Sequence, residues 1–316
     1  MLALLVMAQF VVILDAAIVN VALPSIKTAL HFSTPNLQYG VTAYAITFGG
    51  LLLLGGRLSD RLGRRRLSMA GVAVFTAASL LNGISTASGE LIAFRALQGI
   101  GAALLTPAAL SLLVTTFTEA RERNLGLGIW AAAAGGGGAV GLLLGGALTS
   151  GLSWRWIFFI NVPVGVAVAL VSPVLLRESR NEGAARTFDF AGAGSITGGL
   201  MLLVYGLTRA SQHGWGNGTT VRVLAGAAAL IAAFVAIGWR SREPLLPLRL
   251  FRLRTLSGSN LAILVGTGGS YAVFLLATLY FQDVLHSPRS RPGRSFPRDP
   301  QCPLGRSEGR RCRRDT

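Results

Sequence analysis

Nine apolar stretches of about 20 residues, near 1–23, 38–56, 67–87, 91–115, 125–150, 156–176, 190–208, 221–239 and 260–282, run through this chain. That is the length an α-helix needs to cross the hydrocarbon core of a bilayer. A soluble chain would interrupt such runs with polar faces of period 2 or 3.6, whereas these stay apolar all round. Composition agrees: 52% of the 316 residues are apolar and 13% are charged, against about a quarter charged in a typical soluble domain. The expected fold class is therefore an all-α polytopic membrane protein, and soluble catalysis is excluded. No Lys or Arg precedes the first run, which is long enough to span by itself, so it reads as a span rather than a signal peptide.

Basic residues orient the spans, because cytoplasmic loops carry the excess of Lys and Arg. With the N-terminus inside, fifteen arginines between Arg57 and Arg254 fall in cytoplasmic loops, and four basic residues, Lys27, Arg155, Arg209 and Arg222, fall outside. The split predicts a cytoplasmic N-terminus. Residues 287–316 break the pattern: they hold nine arginines, five of the 12 prolines and both cysteines, Cys302 and Cys312, on the side where the topology places few charges. Taken alone they read as a disordered basic tail suited to anionic lipid or nucleic acid. The two cysteines have no metal-ligand spacing.

Ionisable residues inside spans are expensive and therefore informative. Asp15 lies well inside the first span, with Asn20 on a neighbouring face. A carboxylate withdrawn from water there is a candidate to take up and release a proton; the alternative is a structural carboxylate paired with an arginine. Arg95 lies in the fourth span, with Gln98 one turn away on the same face. Its charge is fixed, which suits it to modulate a nearby carboxylate, and the alternative is a side chain snorkelling to the external interface. Between spans two and three the loop from Gly56 through Asp60, Arg61, Gly63 and Arg64 to Arg66 reads as a tight turn bracketed by two glycines, its single carboxylate set among five arginines. Span five is dense in glycine, from Gly135 to Gly138 and again at Gly141, Gly145 and Gly146, a composition that allows close helix approach in lipid. Trp154 to Pro163 opens span six as an external aromatic belt. No glycine-rich loop ends in Gly-Lys-Ser or Gly-Lys-Thr, and His31, His213 and His286 are scattered, so neither an ATPase motor nor a metal cluster is expected. No cofactor is called for, and energy would come from an ion gradient.

Four stretches in order, Leu14–Pro24, Gly56–Arg66, Arg95–Ala103 and Trp154–Pro163, resemble motifs of the major facilitator superfamily. Within it the chain is similar to the fourteen-span drug:proton antiporters of the EmrB/QacA type. The resemblance implies a six-helix N-terminal bundle over residues 1–180, two linker helices with cytoplasmic loops over 181–255, and the first helix of a second bundle over 256–286. It further implies substrate binding between bundles near the midplane, alternating access, proton coupling at Asp15 and Arg95, and a cytoplasmic gate at Gly56, Asp60, Arg61, Gly63 and Arg64 in which Asp60 faces the second half. Asn20, Gln98 and Trp130 are cavity candidates, and Gly99, Gly101, Gly141, Gly145 and Gly146 are helix-packing candidates. The fifth-span motif of this branch carries proline where this chain has Leu142. After Pro288 the family pattern stops, and codons can be chosen for Arg289–Pro297 whose shifted frame reads Leu-Glu-Ala-Gly-Pro-Val-Leu-Pro, so residues 287–316 are expected to be a frameshifted tail on a truncated chain. The function expected is proton-driven efflux of amphipathic drugs or antibiotics across the bacterial plasma membrane. The expected partners are the lipid bilayer, protons and a small amphipathic substrate, with no nucleic acid and the oligomeric state open. Two other readings stand beside it: a non-transporting remnant or interaction fragment, and a metabolite uniporter or importer.

Overall fold

With no water inside a bilayer to satisfy backbone N–H and C=O groups, an apolar run must bond to itself, and it does so as a helix. The computed structural model describes residues 1–32, 34–176, 178–179, 189–240 and 253–279, and every regular element among them is helical. The elements are α1 (Leu2–Ala29), α2 (Thr34–Leu62), α3 (Arg64–Ile84), α4 (Ser88–Thr116), α5 (Ala120–Gly151), α6 (Trp156–Phe159), α7 (Asn161–Leu175), α8 (Phe190–His213), α9 (Gly218–Arg240) and α10 (Arg254–Leu279). Among the described residues eight spans are long and apolar enough to cross a membrane, α6 and α7 together making the sixth. The basic tail with Cys302 and Cys312, the expected frameshift near Arg289, His286 and the loop arginines Arg177, Arg180, Arg186, Arg242, Arg249 and Arg252 lie outside the described residues.

Two compact units divide the chain, Met1–Leu253 and Arg254–Thr316. In the first, α4 packs on α1, α2 and α3, α1 packs along α5, and α3 packs on α7, while the pair α8 and α9 joins through α2. In the second, α10 is a 26-residue helix of apolar character.

The central position of α4 follows from its small residues. Ala102, Ala103, Ala108 and Ala109 are fully buried, and a Cβ at Gly101 would lie 2.5 Å from the backbone N of Phe75 and 2.9 Å from the carbonyl of Gly71. Lipid tails are as apolar as leucine, so close packing of backbones takes the place of a hydrophobic drive between spans. Leu5, Val12, Phe75 and Leu112 fill one apolar cluster, and Ile18, Ile26, Ile157 and Phe158 fill another.

The sixth span, Trp156–Leu175, carries a local gap in its helical hydrogen bonding. Pro163 offers no N–H to the carbonyl of Phe159, so the hydrogen-bond ladder lapses between Phe159 and Asn161 while Ile160 keeps helical dihedrals, φ −62° and ψ −26°. The Asn161 side chain at this point lies inside the bundle.

Candidate functional site

Asp15 and Arg95, 80 positions apart, meet in the interior of the bundle. Arg95 Nη1 donates to Asp15 Oδ2 at 2.6 Å, and the two side chains are 1% and 0% exposed respectively. The other carboxylate oxygen, Oδ1, accepts from Gln98 Nε2 at 2.9 Å and from Asn161 Nδ2 at 2.8 Å. Gln98 Oε1 in turn accepts from Arg95 Nη1 at 2.8 Å and from Asn82 Nδ2 at 3.0 Å. Ser79 Oγ accepts from Gln98 Nε2 at 2.6 Å and from Asn161 Nδ2 at 3.4 Å. One buried network thus ties α1, α3, α4 and α7 together.

Burial of this kind makes pairing compulsory, because a lone charge in a low-dielectric interior is strongly unfavourable. Arg95 accordingly does not snorkel to the external interface. Its Nε donates to the carbonyl of Gly40 at 3.3 Å, and its guanidinium lies 4.4 Å from the ring centroid of Tyr44 and 5.9 Å from that of Phe158. Two acceptors of the network, Asn82 Oδ1 and Asn161 Oδ1, are buried with no donor among the described residues.

The second charged cluster sits where α2 meets α3. The turn is made by Gly63 alone, at φ 106°, while α2 continues as helix through Gly56, Asp60 and Arg61 to Leu62. The sequence reading of a turn between two glycines is corrected to this extent: Gly56 is helical, and only Gly63 needs the positive φ that glycine supplies without strain. Asp60 Oδ1 accepts from Arg64 Nη2 at 2.9 Å, so its partner is the first residue of α3, just across the Gly63 turn.

Sequence reasoning missed Glu178 and Ser179 at this end of the bundle. Glu178 Oε1 accepts from the backbone N–H of Arg65 at 3.2 Å, and Oε2 lies 3.8 Å from Arg65 Nε and 3.7 Å from Arg66 Nε. The Ser179 carbonyl accepts from the Arg64 N–H at 3.1 Å, and Ser179 Oγ accepts from Arg64 Nη1 at 2.9 Å. Together they satisfy the first N–H groups of α3 with the negative charge that a helix N-terminus favours. A Cβ at Gly63 would lie 2.5 Å from Glu178 Oε1, so the same glycine that turns the chain also admits the carboxylate.

The remaining candidates distribute as follows. Gly141 and Gly145 press α5 against α1, where added Cβ atoms would meet the Leu14 carbonyl at 2.9 Å and the Ile18 carbonyl at 3.1 Å. Gly99 faces the Tyr44 carbonyl of α2 and Gly101 faces α3, whereas Gly146 has open space beside it. Asn20 is exposed and donates to the Ala16 carbonyl at 3.0 Å, and Trp130 is half-buried against the apolar cluster around Leu112. Leu142, at the proline position, is half-exposed. The aromatic belt is split: Trp156 is exposed, but Trp154 is buried edge-on to Phe158 and lies under the Arg155 guanidinium, 4.7 Å from its ring centroid. Arg155 Nη1 donates to the carbonyls of Gly83 at 2.9 Å and Ser85 at 2.7 Å, closing the end of α3. Among the described residues no three metal-ligating side chains converge.

Membrane-length helices around a buried charged network define a multi-pass membrane protein. The profile of the Major Facilitator Superfamily matches residues 5–290, and the chain belongs to that family. It is 43% identical over 282 residues to the puromycin resistance protein pur8 of Streptomyces alboniger, covering 89% of this chain and 56% of that one. It is 41% identical to the cephamycin export protein CmcT of Amycolatopsis lactamdurans, covering 92% and 60%. It is 36% identical to the tetracenomycin C resistance and export protein of Streptomyces glaucescens, covering 86% and 51%. The chain therefore spans about half to three fifths of the length of these relatives. Its fold is shared with the peptide transporter POT in complex with sulfate, at a TM-score of 0.56 and 17% identity over 76% of this chain and 52% of the other.

Proposed function

We propose that this chain is the proton-handling part of a bacterial plasma-membrane exporter that expels amphipathic antibiotics in exchange for protons by alternating access, with its N-terminus in the cytoplasm. The observation that carries the reading is a carboxylate at 0% exposure, Asp15, accepting from three donors on two other helices. An ionisable group so deep in an apolar bundle marks an ion pathway by default. The names of the relatives support the cargo, and the arginine-rich loops support the orientation.

Ionised, Asp15 binds α1 to α4 and α7. Protonated, it must donate an O–H, and the free acceptor Asn161 Oδ1 is presented to it by a turn of the Asn161 amide. Each proton taken up thus exchanges one set of contacts between α1 and its neighbours for another, which is the kind of two-state element that moves one bundle against another. At the cytoplasmic end Asp60, Arg64 and Glu178 hold α2, α3 and the segment after α7 together as the gate. Glycines of α5 let it slide on α1.

The test joins this chain to the second half of its Streptomyces alboniger relative in a drug-sensitive bacterium and follows puromycin efflux with the accompanying proton flux. Export that stops with Asp15→Asn is expected; export continuing with an unchanged proton stoichiometry would defeat the assignment. A second reading, that this chain alone transports nothing, is favoured by its spanning 56% and 60% of two relatives. Efflux from cells carrying the 316-residue chain alone would eliminate it.

A further inference from the structure

Proton uptake by Asp15 leaves a guanidinium that is 1% exposed without its anion, a state that is strongly unfavourable unless other groups hold the charge. The described groups around Arg95 other than Asp15 are the Gly40 carbonyl, Gln98 Oε1 and the faces of Tyr44 and Phe158, and none carries a charge. The charged or titratable groups facing this point are Asp15 from α1, Tyr44 from α2 and Arg95 from α4. From α3, α6 and α7 come Ser79, Asn82, Phe158 and Asn161, which are neutral.

We infer that Tyr44 is a positioning residue for proton exchange, its ring face holding Arg95 while Asp15 is neutral; this rests on the reading of Asp15 as the proton carrier. The face of an aromatic ring is negative, so it attracts the guanidinium 4.4 Å away. When Asp15 is neutral the carboxylate no longer competes for the guanidinium, which settles further onto the ring face, so the ring favours the neutral state of Asp15. The hydroxyl does not account for the residue, since it is buried with no partner among the described residues. The ring is fixed in place from behind and below. Tyr44 stacks on Phe48 at 5.8 Å, Thr47 Oγ1 donates to the Ala96 carbonyl at 2.9 Å, and Gly99 has no Cβ to collide with the Tyr44 carbonyl and Thr47.

The test is an infrared pH titration of the carboxylic C=O stretch of the whole chain purified into lipid nanodiscs, with Asp15→Asn identifying the Asp15 band. Tyr44→Phe keeps the ring and is expected to leave the midpoint in place. Tyr44→Leu is expected to lower it by about one pH unit, a tenfold change in proton affinity or about 1.4 kcal/mol. Phenylalanines of increasing fluorine content at position 44, which keep the shape and weaken the ring face, are expected to lower it stepwise, and they decide the matter if Tyr44→Leu does not fold. Equal shifts in the Phe and Leu variants, or a midpoint indifferent to fluorination, overturn the inference while the Asp15 band remains. Absence of any titrating band that Asp15→Asn removes overturns the exporter reading, and this inference with it.

Discussion

Two carboxylate–arginine pairs of nearly the same length, Asp15–Arg95 at 2.6 Å and Asp60–Arg64 at 2.9 Å, occupy opposite environments. The first has side-chain exposures of 0% and 1%, the second of 32% and 12%. Water and salt screen the more exposed pair, which ties the end of α2 to the start of α3 across the Gly63 turn. Nothing screens the buried pair, and its members come from helices 80 residues apart. Identical chemistry therefore acts as a local brace at the α2–α3 turn and as a long-range tie in the interior.

The comparison breaks most sharply at Arg95. Replacing it by Leu strands Asp15 and is expected to cost about 3–5 kcal/mol, seen as a lower melting temperature of the purified chain in detergent. Combining Asp15→Asn with Arg95→Gln removes both charges and is expected to recover much of that loss; a double variant no more stable than the single one would mean that charge burial is not the cause.

Backbone proximity is the next largest effect. Gly101→Ala puts a Cβ 2.5 Å from the Phe75 backbone and is expected to cost about 1–3 kcal/mol, while Gly146→Ala, with open space beside it, is expected to stay within about 0.5 kcal/mol. Equal melting temperatures for the two would contradict the packing of α4 on α3.

At the α2–α3 turn, Gly63→Ala forces a side chain into φ 106° and against Glu178, for an expected loss of about 2 kcal/mol. Smallest of all is Asp60→Asn, expected to cost about 0–1 kcal/mol and to lose its effect in high salt. A salt-independent loss as large as that of Arg95→Leu would erase the distinction between the two pairs.

Much of the architecture was legible because hydropathy and helix length are coupled in lipid: the apolar runs at 1–23 through 221–239 correspond to α1 through α9. Helix ends were less so. α1 runs through Pro24 to Ala29 and α2 through the arginine-rich stretch to Leu62, since polar residues end a span without ending a helix. Of the buried network, Asp15, Arg95 and Gln98 stood out as polar residues in apolar runs. Ser79, Asn82 and Asn161 are small polar residues with no charged residue one turn away on the same face, so nothing local marks them as Arg95 marks Gln98. Tyr44 gave none, as an aromatic residue in a span looks like any other apolar one.

What the amino-acid order determined by itself is where the eight spans found among the described residues lie, the places where charge enters them and the glycines on which backbones can meet. All of these depend on a residue and its near neighbours, because a helix in lipid bonds only to itself. Tertiary structure alone decided that Asp15 meets Arg95, that Asn161 of α7 reaches Asp15, and that Glu178 closes on Gly63. Those contacts join residues 80 to 146 positions apart, and which apolar face turns toward which neighbour is not encoded in a pattern that is apolar on every side.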